Sequence, residues 1–389
     1  MLRSRAAVPA MIIAGTIIRL VLAFATHGLP YDVQSWSILR TAFSEHPLHV
    51  YALVNQNGSF HWPYPPGSFP LMLVASGAAD MFGGFTHLVR IPSVVADAAL
   101  TWLVWFGLAG RVSERARLAG AALVAFGPVF VTISGYAAQI DDVAILPAVI
   151  ALLVWERAPE RRRAWMAGLL IGVAASIKTV PLAMLLALAP TARSRSELAI
   201  LVGSAVALLA VSFAPFLIAD SGAVLELRHY QGAPGMGGLT LVLQPDLAQI
   251  WLSREVMIEP LVRWLSISHA GPYNLAILAA FAVYGWRYRP NPRIAAALLW
   301  LVVLAFDSGF FFQYLVWGLP FFLLGGYLVA TAALQAVVAI PMIIYYTGPR
   351  AGSNSVAYFY VPFMIIVWVM WVIGAGVLAR RGATGARTA

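Results

Sequence analysis

The sequence predicts an all-α integral membrane protein: a polytopic bundle of about twelve transmembrane helices, with interfacial helices in its outer loops. Of its 389 residues, 61% are hydrophobic and 11% are charged, whereas a soluble domain usually carries about 25% charged residues. Apolar runs of roughly 17 to 25 residues recur along the chain, which is the length that an α-helix needs to cross a hydrocarbon core of about 30 Å. This pattern excludes an ordinary soluble domain.

The distribution of charge predicts which side of the membrane each loop occupies. The net charge is +9, and most arginines cluster in short connectors between apolar runs. They are Arg3 and Arg5; Arg111, Arg115 and Arg117; Arg157 and Arg161 to Arg163; Arg193 and Arg195; Arg287, Arg289 and Arg293; Arg380, Arg381 and Arg387. The positive-inside rule places these connectors and both termini in the cytoplasm. The charge therefore reports topology, and we expect no nucleic-acid partner.

The spans follow from the apolar runs between these connectors. They are predicted near residues 7–26, 89–110, 118–134, 143–156, 164–177, 180–190, 198–218, 272–286, 294–306, 314–330, 332–347 and 358–379. The first run resembles a signal peptide, but it is longer than a typical apolar signal core and lacks a small-residue cleavage site, so we expect a retained span. Residues 68–83 are predicted to lie in the interface, because another span there would turn the connector at 111–117 outward.

Residues 1–389 are predicted to form a single transmembrane domain with two large outer loops, 27–88 and 219–271. All seven histidines fall in these loops: His27, His46, His49, His61, His87, His229 and His269. Topology alone gives no reason for this asymmetry, so we expect a functional site on the outer side. The absence of cysteine excludes disulfides and thiol catalysis.

The first outer loop contains two candidate elements. Asp32 follows Pro30 directly after the first span, where a carboxylate either caps the next helix or serves as a general base at the membrane surface. Tyr64 belongs to the segment His-Trp-Pro-Tyr-Pro-Pro-Gly at 61–67, which its prolines make rigid. This segment is either an interfacial turn or an aromatic surface that suits sugars and lipid phosphates.

Two further elements lie after the third and fifth spans. In Gln139-Ile140-Asp141-Asp142, one acid suffices for a helix cap, so the second could bind a divalent cation, orient an acceptor or act as a second base. Lys178 is the only lysine and stands in an apolar stretch. It either snorkels to the surface or supplies positive charge to a leaving phosphate.

The remaining candidates are polar residues near predicted outer ends of spans. Gln313 and Tyr314 begin a late span; interfacial anchoring explains Tyr314 but not Gln313. Four basic residues are candidates for phosphate contact: Arg90, Arg228, His229 and Arg350.

Taken in order, these features resemble the GT-C superfamily of membrane glycosyltransferases, in particular the polyprenyl-phosphate-mannose-dependent mannosyltransferases and their bacterial relatives. The resemblance runs across nearly the whole chain and rests on an ordered set of motifs. They are Asp32 after the first span, Tyr-Pro-Pro-Gly at 64–67, Arg90, Gln139-x-Asp141, Lys-Thr-x-Pro at 178–181 and Gln-Tyr-x-x-Trp-x-x-Pro at 313–320.

The resemblance implies a GT-C-like fold and an inverting transfer of a sugar, mannose, from a polyprenyl-phosphate-linked donor to an acceptor hydroxyl on the non-cytoplasmic side. Asp32 is then the catalytic base. The residues expected to bind substrate are Tyr64, Gln139, Asp141, Asp142, Gln313 and Tyr314, and those expected to bind phosphate are Lys178, Arg90, Arg228 and His229. The acceptor is a glycolipid, a glycan or a protein, and the protein contacts membrane lipids, in the plasma membrane of a prokaryote.

The chain departs from the family pattern at three points. It has Ala138 where the family often has glycine before Gln-x-Asp, and Phe312 where the family has histidine or proline before Gln-Tyr. After the first span it has a single Asp, Asp32, where some members have a pair of acids. These departures leave open the class of acceptor and whether a divalent cation, Mg²⁺ or Mn²⁺, is required.

Two other functions fit the composition. In a secondary transporter with a midplane site, Lys178 and Asp97 would be the coupling residues, but no related halves are visible. A non-catalytic lipid-binding or scaffold protein would need neither an acid nor a base, and Asp32 could then be replaced freely.

Overall fold

The computed structural model describes residues 2–55, 61–230, 232, 234–252, 255–347 and 352–385. The regular structure in these ranges is helical throughout, which confirms the predicted fold class. The first twelve α-helices are α1 (Leu2–Ala25), α2 (Pro30–Glu45), α3 (Val50–Val54), α4 (Phe69–Phe82), α5 (Phe85–Leu88), α6 (Ile91–Gly107), α7 (Glu114–Ala125), α8 (Pro128–Thr132), α9 (Asp141–Arg157), α10 (Glu160–Ile177), α11 (Met184–Leu188) and α12 (Arg195–Glu226). The others are α13 (Gly238–Leu243), α14 (Pro260–Arg263), α15 (Ala270–Tyr288), α16 (Pro292–Phe306), α17 (Leu315–Leu324), α18 (Leu328–Thr347), α19 (Gly352–Ser355) and α20 (Val361–Gly385).

Six helical segments of the described chain are long and apolar enough to cross a membrane. They are Ala6–Ala25, Phe85–Gly107, Glu114–Ala137, Arg195–His229, Leu328–Tyr346 and Val356–Thr384. Each overlaps a predicted span. The other predicted spans coincide with helices that are shorter or carry more charge, such as α9 and α16, so the number of about twelve crossings stays a prediction.

The apolar stretch at 68–83 forms the 14-residue helix α4. At 1.5 Å per residue this helix is about 21 Å long, shorter than a hydrocarbon core of about 30 Å. The length of α4 is therefore compatible with a position in the interface, which stays a prediction.

The chain divides into two compact units. The first comprises residues 1–126, 130–185 and 193–230, and the second comprises 127–129, 186–192 and 231–389. The prediction of one continuous domain with outer loops at 27–88 and 219–271 is not tested by this division.

In the first unit, α1 packs against α6 and α7, while α10 packs against both α9 and α12. Two of these helices begin at serine caps: Ser113 Oγ accepts a hydrogen bond from the Ala116 amide, and Ser194 Oγ accepts one from the Glu197 amide. Each cap satisfies a backbone N–H group that the first helical turn leaves unpaired. The caps thus define where α7 and α12 begin.

In the second unit, α16 packs against α17 and α20, and α18 packs against α20. Two side chains, the buried Arg293 and the half-buried Trp368, link these helices through backbone carbonyl groups. The Arg293 guanidinium donates to the Leu324 carbonyl at the end of α17 (2.7 Å), and the Trp368 indole donates to the Ala305 carbonyl (2.8 Å). A cation at a helix C-terminus satisfies carbonyl groups that lack intrahelical partners.

Candidate active site

The turn between α1 and α2 is built on Arg90. Its Nη1 donates to the carbonyl groups of Ala23 (2.8 Å) and Thr26 (3.2 Å) at the end of α1. The chain then turns at Gly28, whose φ of +75° favours glycine, and the Arg90 guanidinium occupies the space that a Cβ at Gly28 would need. Arg90 is fully buried, so its contacts give it the role of a helix cap. Arg90 Nε and Nη2 have no hydrogen-bond partner among the described residues, and the contact of Arg90 with phosphate stays a prediction.

Asp32 lies in the first turn of α2. The residue at the N-cap position is Leu29, which makes no side-chain cap bond, so the capping interpretation of Asp32 is not found. Asp32 is half-buried, and its Oδ2 is shielded from solvent without a hydrogen-bond partner among the described residues. Burial raises the pKa of the Asp32 carboxyl to about 7. A hydrogen bond from Gln139 and the positive charge of Lys178 both lower this pKa, but the effect of burial is larger.

Gln139 is presented by an unusual turn of the backbone. A π-helix ends at Ala137, and Ala138 follows with φ of 62° and ψ of 31°, a left-handed conformation that costs a residue with a Cβ about 1–2 kcal/mol. The Trp36 indole donates to the Ala138 carbonyl (2.9 Å), and the Ser93 hydroxyl donates to the Gln139 carbonyl. These two hydrogen bonds keep Ala138 in the left-handed conformation, which glycine would adopt without strain.

The Gln139 amide bridges two other predicted residues. Its Oε1 accepts a long hydrogen bond from the Tyr64 hydroxyl (3.5 Å), which leaves its amide nitrogen to donate to the Asp32 carboxylate. The network determines this orientation of the amide. Tyr64 and Gln139 thus position Asp32 from two different segments of the chain.

Tyr64 is held by the rigid segment 61–67. The Tyr51 hydroxyl donates to the Tyr64 carbonyl (2.9 Å), and the buried Trp62 donates through its indole to the Ser68 hydroxyl (3.1 Å). A Cβ at Gly67 would lie 2.5 Å from the Ser176 carbonyl oxygen, so only glycine lets this segment approach the end of α10. The approach brings Tyr64 to the residue that follows α10.

Lys178 is the residue that follows α10. As the C-cap of this helix it has an extended backbone (φ −149°, ψ 131°), and its ammonium lies 2.7 Å from Asp141 Oδ1. The same ammonium lies 4.8 Å from the centre of the Tyr64 ring, within range of a cation–π interaction. Lys178 is buried, so it does not snorkel to the surface. Asp32, Tyr64, Gln139, Asp141 and Lys178 therefore form one cluster.

A small cleft opens beside this cluster. Its volume is about 30 Å³, the space of two or three water molecules. The residues that line it are Tyr31, Asp32, Ser35, Trp36, His61, Trp62, Pro63, Tyr64, Ala138, Gln139, Ile140 and Tyr230. An acceptor hydroxyl fits there next to Asp32, whereas a whole sugar ring requires the cleft to widen.

Several aromatic residues of this cleft, among them Tyr31, His61 and Tyr230, were not among the predicted site residues. Tyr31 and His61 stack with their centroids 5.2 Å apart, and the Ser35 hydroxyl lies 3.3 Å from His61 Nδ1. Tyr230 follows the helical segment Arg195–His229 directly, within the predicted outer loop 219–271. Burial raises the pKa of its phenol, as do the nearby Tyr31 and Asp32. The only sequence signal for Tyr230 is that it follows the candidates Arg228 and His229.

Arg228 and His229 end the long segment Arg195–His229. The Arg228 guanidinium donates to His229 Nε2 (3.1 Å), and His229 Nδ1 donates to Glu226 (3.1 Å). Both basic residues are exposed. They lie two residues and one residue before Tyr230, which lines the cleft, but they do not line it themselves. Their role in phosphate binding stays a prediction.

Asp142 belongs to a second, fully buried cluster. The Arg19 guanidinium lies 2.8 Å from Asp97 Oδ2, and the Ser134 hydroxyl donates to the same oxygen (2.7 Å). The Asp142 carboxyl lies next to that of Asp97. Asp142 does not line the cleft, so its contacts are with the helix bundle. Its role in substrate binding stays a prediction.

The acidic pair at 141–142 does not fit a divalent cation. Asp141 contacts the Lys178 ammonium while Asp142 contacts Asp97, so the two carboxylates do not converge on one point. Among the residues that the structure describes, no group of three histidine, aspartate or glutamate side chains could hold a metal ion. We therefore derive no step that uses Mg²⁺ or Mn²⁺.

The last two predicted residues, Gln313 and Tyr314, lie in the second unit. Tyr314 is buried and stacks on Trp317 with ring centroids 3.9 Å apart, while Gln313 is half-buried in the 3₁₀-helix Phe312–Tyr314. Their role in substrate binding stays a prediction. The candidate Arg350 lies outside the described residues.

Several solved structures are similar to the chain, among them the following two. One is ArnT from Cupriavidus metallidurans bound to undecaprenyl phosphate, at 14% identity and a TM-score of 0.49, with 96% of this chain and 78% of that chain covered. The other is the Archaeoglobus fulgidus oligosaccharyltransferase in the apo form, at 16% identity and a TM-score of 0.41, with 97% and 56% covered. No curated protein matches the chain.

A family model provides the assignment. The model of glycosyltransferase family 87 matches residues 62–312, which is more than half of the chain and includes Tyr64, Gln139, Asp141 and Lys178. The match begins after Asp32. It confirms that the chain is a glycosyltransferase, as predicted, and favours this function over the transporter and the scaffold. The chain belongs to glycosyltransferase family 87.

Proposed function

We propose that this membrane glycosyltransferase transfers mannose from a polyprenyl-phosphate-linked donor to an acceptor hydroxyl, with inversion, on the non-cytoplasmic side. The observation that carries the proposal is Asp32: a half-buried carboxyl with a pKa of about 7, next to a cleft and held by Gln139. A general base is most effective when its pKa lies near the operating pH. Few carboxyl groups reach that value without being enclosed in this way.

In the proposed reaction, the acceptor hydroxyl enters the cleft and gives its proton to Asp32. The acceptor oxygen forms a bond to the anomeric carbon from the face opposite the phosphate. The bond between the anomeric carbon and the phosphate oxygen breaks, and its electron pair stays with the polyprenyl phosphate. One displacement of this kind inverts the anomeric configuration.

Lys178 serves two purposes in this reaction. Its positive charge lowers the pKa of Asp32 and so keeps a larger fraction of that group ionised. The same charge stabilises the negative charge that develops on the leaving phosphate, often the largest contribution to catalysis. Asp141 and the Tyr64 ring hold the ammonium in place from two sides.

The phosphate of the donor is proposed to bind near Arg228 and His229. These exposed residues end a segment that is long and apolar enough to cross the membrane, and the predicted topology puts them in the outer loop that follows the span at 198–218. Tyr230 connects them to the cleft. Basic side chains near a membrane surface attract anionic headgroups.

The identity of the sugar rests on the motif resemblance, as does the acceptor, which we take to be a glycolipid, a glycan or a protein. The outward orientation in a prokaryotic plasma membrane rests on the arginine connectors. No divalent cation is needed for the steps above.

The substrate assignment is tested with purified protein and synthetic polyprenyl-phosphate sugars. Mannose, glucose and galactose donors of the same lipid are offered with a panel of acceptors, and the anomeric configuration of the product is read by NMR. We expect transfer from the mannose donor with inverted configuration. Product of retained configuration, or a clear preference for another sugar, contradicts the proposal.

The orientation is tested by cysteine labelling, because the chain has no cysteine of its own. Gln34→Cys and Arg115→Cys both lie at exposed positions. We expect a membrane-impermeant maleimide added to intact cells to label Gln34→Cys and not Arg115→Cys. The reverse pattern would place the cleft in the cytoplasm.

A further inference from the structure

A second cavity lies in the second unit, between α18 and α20. We call it the α18–α20 groove. It has a volume of about 360 Å³ and is lined, among others, by Tyr327, Ala330, Thr331, Trp371, Gly374 and Arg381. The catalytic steps proposed above use none of these residues.

The groove arises from small residues on two helix faces. Tyr327, Ala330 and Thr331 are spaced by three and four residues, as are Trp371, Gly374 and Leu378, so each set lies on one helical face. Alanine, threonine and glycine leave space between the helices that larger side chains would fill. The Thr331 hydroxyl donates to the Tyr327 carbonyl (2.7 Å), so the walls present apolar surface.

The two ends of the groove differ in character. The Arg381 guanidinium lies 5.9 Å from the centre of the Tyr327 ring, which places the start of α18 beside the end of α20. Arg381 is exposed, whereas Trp371 at the other end is fully buried. The groove therefore has a charged mouth and a closed apolar interior.

The depth of the groove matches one leaflet of a bilayer. Ten residues separate Trp371 from Arg381, which corresponds to about 15 Å along α20. A hydrocarbon core is about 30 Å thick, so the groove reaches from the membrane surface to about its middle. An acyl chain has the shape and polarity to fill this space.

The charge at the mouth is not neutralised by acidic residues nearby in sequence. Arg380 and Arg381 are both exposed, and Asp307 is the only acidic residue between positions 260 and 389. The Tyr284 hydroxyl donates to the Ala379 carbonyl (2.7 Å), which brings the end of α15, with Arg287, to the same region. This end of the unit attracts an anionic headgroup.

We propose that the α18–α20 groove binds one anionic glycerophospholipid, with an acyl chain between the helices and the phosphate at Arg381. By the topology that the arginine connectors predict, this lipid comes from the cytoplasmic leaflet. The groove thus binds a membrane phospholipid, whereas the cleft at Asp32 binds the substrates of the transfer reaction.

The proposal is tested by native mass spectrometry of detergent-solubilised protein titrated with phosphatidylglycerol or phosphatidylcholine. We expect preferential retention of phosphatidylglycerol, and Arg381→Gln should lower its affinity by about five-fold, the factor for one basic residue near an anionic surface. Ala330→Phe fills the groove and should abolish specific binding of the lipid. Val329→Phe places the same side chain at an adjacent, exposed position outside the groove and should bind lipid like the unaltered protein.

Three results would overturn the proposal. They are equal retention of the two phospholipids, undiminished phosphatidylglycerol binding by Arg381→Gln, or its displacement by equimolar polyprenyl phosphate. The last result would assign the groove to the donor lipid. Since Arg381 is exposed, its replacement should not impair folding, and the test does not depend on the filled variant.

Discussion

The ammonium of Lys178 lies 2.7 Å from Asp141 Oδ1, and the two side chains are 8% and 0% exposed. The chain's only lysine is thus one half of a buried ion pair, beside the Tyr64 ring. Removal of one partner from such a pair leaves an uncompensated charge in a poorly solvated place. The pair therefore links the stability of the first unit to the chemistry of the cleft.

Replacement of Lys178 by methionine is expected to impair both stability and transfer. The variant leaves Asp141 buried without its cation, which costs about 3–5 kcal/mol when a buried pair is broken. Thermal unfolding in detergent, followed by circular dichroism, should show a lower midpoint. The rate of sugar transfer, measured at a temperature where the protein remains folded, should also fall, because the positive charge of Lys178 no longer stabilises the leaving phosphate.

A double variant separates the two effects. Lys178→Met combined with Asp141→Asn removes both charges, so most of the lost stability should return while transfer stays low. If transfer returned together with stability, Lys178 would be a structural residue only.

The pH dependence of transfer should report the ionisation of Asp32. Only the carboxylate can accept a proton, and the pKa of this group is about 7. Below that value, kcat/KM should fall about ten-fold per pH unit, and above it the rate should level off. A rate that is constant from pH 5.5 to 8 would exclude Asp32 as the base.

Gln139→Ala should shift the pH dependence of kcat/KM in a defined direction. The Gln139 hydrogen bond lowers the pKa of Asp32, so its removal raises that pKa and moves the rising limb to higher pH. Gln34→Ala, an exposed neighbour in α2, is the matched control and should leave the limb in place. A limb that moves to lower pH in Gln139→Ala would contradict the proposed network.

Gly67→Ala should reduce transfer without removing any functional group. The added Cβ would meet the Ser176 carbonyl oxygen at 2.5 Å, so the 61–67 segment must move away from α10 and take Tyr64 from Lys178. A misplacement of about 1 Å can lower the rate about 100-fold. Gly77→Ala, whose Cβ meets nothing within 4 Å, should retain activity. Equal activity of both variants would show that the close approach is not needed.

Ala138→Gly is expected to stabilise the protein slightly. Ala138 has a left-handed backbone conformation that costs about 1–2 kcal/mol relative to glycine, while the greater freedom of glycine in the unfolded chain offsets about 0.5–1 kcal/mol. The net gain is on the order of 0.5 kcal/mol, measured as a rise in the unfolding midpoint. A drop in that midpoint would mean that packing of the Ala138 methyl outweighs the strain.

The fold was largely predictable because the length and spacing of apolar runs alone define helices such as α1, α12 and α20. Local details were not: the predicted span at 180–190 is divided between α11 and two 3₁₀-helices, and a π-helix forms at 133–137. Both depend on how the surrounding helices pack. Likewise, no sequence pattern places Gly28 on Arg90, because that contact joins residues more than sixty positions apart.

The candidate site was predictable in its members and not in their partners. Residue type and motif order selected Asp32, Gln139 and Lys178, but only the folded chain shows that Lys178 pairs with Asp141. Arg19 was missed, although an arginine inside the apolar run 7–26 is a recognisable signal of a buried partner. Asp142 was grouped with Asp141 by adjacency, yet it turns to Asp97 in the bundle.

The role of Asp32 as the catalytic base is tested by one comparison of transfer rates. Asp32→Asn and Asp80→Asn make the same chemical change, but Asp80 is exposed and pairs with Arg40. With a polyprenyl-phosphate-mannose donor and saturating acceptor, we predict that Asp32→Asn lowers kcat by about 100- to 10,000-fold and that Asp80→Asn leaves it within about two-fold. A folded Asp32→Asn variant that transfers mannose at the unaltered rate would contradict this role.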